Sequence, residues 1–121
     1  PPLQTPTYNV TGTWEARYAI GSNDCDLSGG YLYPTIYVTH AAGSNTIYVR
    51  DSRSNESQPA TISGSIISFS GPMYPELGCS DQSGSFTVTL SDSTHYSGSG
   101  VVTCNDAPAC SANITVTGTK L

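Results

Sequence analysis

Charge is scarce in this chain. Four lysines and arginines stand against nine aspartates and glutamates, for a net charge near -5. That balance excludes the basic patches with which proteins neutralise nucleic-acid phosphates or press against anionic membranes. No apolar run is long enough to cross a membrane as a helix, and no targeting segment is read in the sequence. Apolar residues never recur at three-to-four spacing, so no amphipathic helix is expected. Histidine occurs twice, as His40 and His95. With no third ligand in register, that is too few for a zinc site. No serine sits in a Gly-x-Ser-x-Gly elbow. Glu15, Glu56 and Glu76 supply acids, but a glycosidase needs two carboxylates facing across a cleft. The chain is therefore read as a non-enzyme without a cofactor.

What the sequence does contain is alternation. Serine and threonine make up 33 of its 121 residues, and β-branched residues and glycine are frequent among the rest. In NVTGTWEARYAI, from Asn9 to Ile20, one face carries Val10, Gly12, Trp14, Ala16, Tyr18 and Ile20. Thr11, Thr13, Glu15 and Arg17 take the other face. PTIYVTHA and NTIYVRD are near copies joined by the short turn AAGSN. ATISG and IISFSG meet at Gly64-Ser65. GSFTVTLSD, HYSGSGVVTCN and CSANITVTGTK complete a set of eight candidate strands. The long connections are Gly21 to Tyr33 and Gly71 to Ser83, each with one cysteine. Short hairpins in succession predict an all-β, eight-stranded, up-and-down antiparallel barrel over residues 9–120, preceded by a flexible, proline-rich arm over 1–8. A β-sandwich is the alternative, since alternation does not say whether the first and last strands pair.

Four cysteines outside any metal-binding spacing read as two disulfides, which predicts a secreted chain, extracellular or periplasmic. Three pairings exist. The short NDAPA spacer favours Cys104 with Cys110, leaving Cys25 with Cys79 to clamp the two long loops, where a crosslink removes much chain entropy.

The Gly12-Thr13-Trp14 of TGTW resembles the start of strand one in the calycin superfamily, which includes avidin-type and lipocalin-type barrels. The hairpin around Ser63-Gly64 and the closing ITVTGTK are similar to small bacterial secreted lipocalin-like domains. The resemblance implies an eight-stranded barrel with Trp14 packed near one end and ligand entry at the other. Avidins surround biotin with several tryptophans, and this chain has one. The C-terminal helix of longer lipocalins is absent, and the sequence leaves open whether side chains or a ligand fill the interior.

The candidate binding residues are tyrosines. Tyr37 and Tyr48 fall out of phase with the neighbouring isoleucines and valines. They should point outward, as a platform for a sugar ring or as cross-strand pairs that stabilise the sheet. Tyr31, Tyr33 and Tyr74 lie in the long loops, where a Cys25–Cys79 bridge would gather them. The same bridge would bring Asp24, Asp26 and Asp81 together, but their spacing matches no calcium loop and no metal is expected. The functional expectation is a non-catalytic secreted domain that binds a small molecule or carbohydrate. Its competitor is a structural or protein-interaction module, an inhibitor included, that recognises another secreted protein.

Overall fold

The computed structural model describes residues 3–25, 29–74, 79–106 and 109–121. The alternation at the start of the chain becomes β1 (Gly12–Asn23), with Trp14 and Ala16 buried and Glu15 and Arg17 exposed. There follow β2 (Gly30–Leu32), β3 (Thr35–Thr39), β4 (Thr46–Asp51), β5 (Gln58–Ser63) and β6 (Ile66–Pro72). The chain ends with β7 (Gln82–Asp92), β8 (His95–Cys104) and β9 (Cys110–Lys120). Sequential antiparallel pairing runs from β3 to β9, and β1 pairs with both β3 and β9. The β1–β9 ladder extends from Trp14↔Lys120 to Asn23↔Ala112 and closes the ring. That ladder selects the barrel over the sandwich and leaves no long edge unpaired.

Eight strands form the barrel, and β2 is a short additional segment. Its pairing explains its place. Tyr18↔Leu32 and Trp14↔Ile36 belong to one register on the same side of β1, so β2 and β3 follow one another along a single partner strand. The break falls at Tyr33-Pro34, where proline has no N–H to donate, while the Pro34 carbonyl still accepts from the Ala16 N–H at 2.9 Å. Tyr31 is therefore a strand residue. The segment from Gly21 to Tyr33, expected as a loop, carries the end of β1 and the whole of β2. Likewise β6 and β7 take up both ends of the segment from Gly71 to Ser83. Gly64 has φ of 58°, which the two-residue turn between β5 and β6 requires.

At the end of the barrel where β1 begins, the N-terminal segment crosses the opening. The Thr7 N–H donates to the Gly64 carbonyl at 2.9 Å, and the Asn45 side-chain amide donates to the Gln4 carbonyl at 2.7 Å. Val10 folds over the end, and its carbonyl accepts from Trp14 Nε1 at 2.9 Å. His40 is buried beside it. Its Nδ1 accepts from the Val10 N–H at 3.2 Å, and Nε2 lies 2.7 Å from the Ser44 carbonyl. Those two partners select the neutral tautomer with the proton on Nε2. Trp14 is 1% exposed, and truncating so large a buried ring typically costs about 3–5 kcal/mol.

At the opposite end lie both disulfides, Cys25–Cys110 and Cys79–Cys104. This corrects the expected pairing. Cys104 and Cys110 face each other across β8 and β9, yet each bonds to the tip on its other side. The reason is closure. The β1–β9 register reaches Asn23↔Ala112, so two residues further it brings Cys25 opposite Cys110. Two disulfides place the chain in an oxidising compartment.

Candidate functional site

The interior is not filled. A cavity of about 440 Å³ occupies the barrel. Trp14 lies at its deep end, and Ile47, Val49, Ile67 and Phe69 line the wall formed by β4 to β6. The facing wall carries aromatics. Tyr96 packs against Trp14 with ring centroids 5.2 Å apart, and Tyr18 stacks on Phe86 at 5.7 Å. Burial pushes the Tyr96 hydroxyl up to about 12 and raises that of Tyr18 further, because a phenolate there would lose its water. Tyr96, and then Asp51, add to the rise at Tyr18. Both residues stay neutral over the physiological range.

The mouth lies between the β4–β5 and β6–β7 connections. Arg53 forms a fork with Asp51, donating from Nε to Oδ1 at 2.9 Å and from Nη2 to Oδ2 at 2.8 Å. The hydrogen bond to Asp51 is the main reason that its guanidinium is held more firmly protonated than usual. The same guanidinium lies 4.2 Å above the Tyr74 ring, which ties one connection to the other across the opening. Tyr74, chosen from sequence as a loop aromatic, thus belongs to the cavity rim.

The remaining sequence-selected tyrosines lie elsewhere. Tyr31 and Tyr33 sit together on the outer surface, with ring centroids 6.4 Å apart and Arg17 stacked 4.9 Å from the Tyr31 ring. Tyr37 and Tyr48 also face outward on β3 and β4, as their phase predicted, and Arg50 lies 4.7 Å over Tyr37. With Cys25 bonded to Cys110, no loop clamp gathers Tyr31 and Tyr33 with Tyr74. The outer tyrosines form a surface on β2 to β4, separate from the mouth.

No protein-family model matches the chain, and no curated protein matches it. A solved structure described as a redesigned β-barrel superposes with a TM-score of 0.66 at 16% sequence identity, covering 93% of this chain and 91% of that one. The likeness is one of fold. It agrees with the barrel that Gly12-x-Trp14 implied and is coarser than any lipocalin or avidin assignment.

The polar clusters are structural in their geometry. Asp24, Cys25 and Cys110 lie close together, but both sulfurs are in the disulfide and the Asp24 carboxylate accepts from the Ser111 N–H at 2.7 Å. Asp81 lies on the other tip, where its carbonyl accepts from the Asn105 N–H, and Asp26 is outside the described residues. His95, Thr94 and Asp92 resemble a relay in composition only. The same His95 Nδ1 faces both Thr94 Oγ1 at 2.9 Å and Asp92 Oδ1 at 3.0 Å, whereas a relay uses opposite ring nitrogens. The cluster closes the β7–β8 turn. Its hydrogen bonds, led by the Thr94 N–H, hold the exposed Asp92 carboxyl down at about 2.

The aromatic side of the cavity was missed in the sequence reading. Tyr18 and Phe86 are in phase with core residues on their strands, but alternation says only that a side chain points inward. It does not distinguish a filled centre from a hollow one.

Proposed function

We propose that this barrel is a secreted, non-catalytic domain that holds a small, largely apolar molecule in its interior. The observation that carries this reading is the 440 Å³ cavity, which runs from Trp14 to a mouth edged by Arg53 and Tyr74. Its size falls among small-molecule sites, and its lining is apolar and aromatic with a few polar groups, as such sites require. The calycin-type resemblance fits the same reading, because it implies ligand entry at the end of the barrel opposite Trp14. Trp14 is the only tryptophan and lines the cavity, so its fluorescence reports on the interior. Titration with an apolar naphthalene dye should perturb Trp14 emission saturably, with one site per chain. Unchanged emission together with no dye uptake would overturn the reading.

A second reading rests on the outer surface. Four exposed tyrosines, two of them capped by Arg17 and Arg50, offer flat faces to a glycan or to another secreted protein. Cross-strand stabilisation explains the same tyrosines without a ligand. A glycan array read with the native chain and with a Tyr31→Ala/Tyr33→Ala variant separates the two. Specific glycan binding that the variant loses supports the platform, and an empty array leaves the tyrosines to the sheet.

A further inference from the structure

We propose that the cavity selects a compact, neutral molecule with a hydrogen-bond acceptor on an otherwise apolar body, and that the Tyr18 and Tyr96 hydroxyls donate to that acceptor. The inference rests on the cavity reading above and names its ligand class.

Two observations place the donors. Tyr18 and Tyr96 both line the cavity, and each is partly accessible. Neither hydroxyl has a hydrogen-bond partner among the described residues: burial alone sets the environment of Tyr96, and burial with nearby charges sets that of Tyr18. Buried donors in folded proteins are nearly always paired, so two phenols on one wall with no partner among the described residues are placed to donate to a molecule held in the cavity. The two phenols also approach each other. The Tyr96 ring lies across Gly118, where a Cβ would overlap its Cζ and hydroxyl oxygen. Gly118 pairs with Ala16 on β1, and Tyr18 is the next inward residue along that strand. Tyr96 in turn contributes to the raised ionisation of Tyr18.

Charge decides against an anionic head group. Arg53 is the cation in the lining, and Asp51 already holds it in a two-pronged pair, with Glu56 also at the rim. A carboxylate entering there would meet an excess of negative charge. A neutral acceptor such as a ketone, ester or ether oxygen satisfies both phenols without that penalty. Size sets the body. A cavity of about 150 Å³ holds benzene, so this one accommodates about two to three rings.

The test compares acetylnaphthalene with isopropylnaphthalene, which share a shape and differ in the carbonyl, by isothermal titration calorimetry on the intact disulfide-bonded chain. The ketone should bind about tenfold more tightly, as expected for hydrogen bonds to otherwise orphaned donors. In Tyr18→Phe/Tyr96→Phe that preference should shrink to about twofold or less, with the hydrocarbon affinity retained as the check on folding. Equal affinities in the native chain, a preference that survives in the double variant, or tighter binding of naphthoate would each overturn the proposal and leave the cavity reading intact. Failure of both neutral probes to bind would overturn the cavity reading and this inference with it. The carbonyl stretch of bound ketone gives an answer from the native chain alone. It should move to lower frequency than in hydrocarbon solvent, and an unshifted band would refute the hydrogen bonds.

Discussion

The strands β1, β7, β8 and β9 run for 10 to 12 residues, whereas β3 to β6 run for five to seven. The inward residues differ as well. On the long side they include Ala16, Gly100, Ala112 and Gly118, against which larger side chains fold flat. A Cβ at Gly100 would overlap the Ser85 carbonyl and the Phe86 ring, and one at Gly118 would overlap Tyr96. The aromatic ring of a neighbouring strand thus covers each glycine and seals the wall. On the short side the inward residues are mainly isoleucine and valine, among them Ile36, Val38, Ile47 and Val49. Ile47 and Ile62 pack with Trp14 and Leu90 in one core cluster, and the cavity lies beside that cluster between the two walls. The long-strand wall is thus packed against its own glycines, and both walls border the cavity. The long strands and both disulfides tie together one side and one end of the barrel.

The sharpest way to break the packed side is to cut its covalent tie. In the chain-entropy picture the 85-residue separation of Cys25 and Cys110 is worth about 4.5 kcal/mol, against about 3.5 for the 25-residue separation of Cys79 and Cys104. Cys25→Ser/Cys110→Ser should lose more stability in urea unfolding than Cys79→Ser/Cys104→Ser. Equal losses would mean that closure of β1 on β9 does not depend on the first bridge. Gly100→Ala comes next. The new methyl meets backbone as well as a ring, so a loss of about 3 kcal/mol, or no folded protein, is expected by the same assay.

Alkaline pH tests the aromatic wall. Tyr96 is held at about 12 and Tyr18 is raised in the same direction, whereas an unfolded tyrosine ionises near pH 10. Their contribution is complete below about pH 10 and is lost as pH rises through the folded values, at about 1 kcal/mol each by pH 11. The urea midpoint should fall over that interval, and less steeply in Tyr18→Phe/Tyr96→Phe. A parallel fall in the variant would place the sensitive groups elsewhere. The smallest effect is the most specific. Ala112 and Ala60 are both buried, one in the packed side and one bordering the cavity. Ala112→Val should cost about 1–2 kcal/mol by overpacking, while Ala60→Val should change stability by less than about 0.5 kcal/mol because there is room. Similar losses for the two would erase the distinction between the sides.

Much of this was legible from residue order. The phase of Trp14, Ile47, Val49, Val88 and Ile114 assigned strands and their inner faces, and that of Tyr37 and Tyr48 put them outside. Tyr74 was the sequence-selected tyrosine that reached the cavity rim, and it did so through Arg53 instead of the expected disulfide clamp. Tyr18 and Tyr96, which carry phenols on the cavity wall, were not among the candidates. Their significance depends on what lies across the barrel from them.

The sequence by itself determined the strands, their inward faces and the oxidising compartment, because alternation and cysteine content act locally or through composition. Tertiary structure decided the closure of β1 on β9, the partner of each cysteine, the continuity of β2 with β3 and the presence of a cavity. All four depend on which distant residues become neighbours when the sheet curls round. That outcome is set by register and by side-chain volume summed across the ring, which no single segment carries.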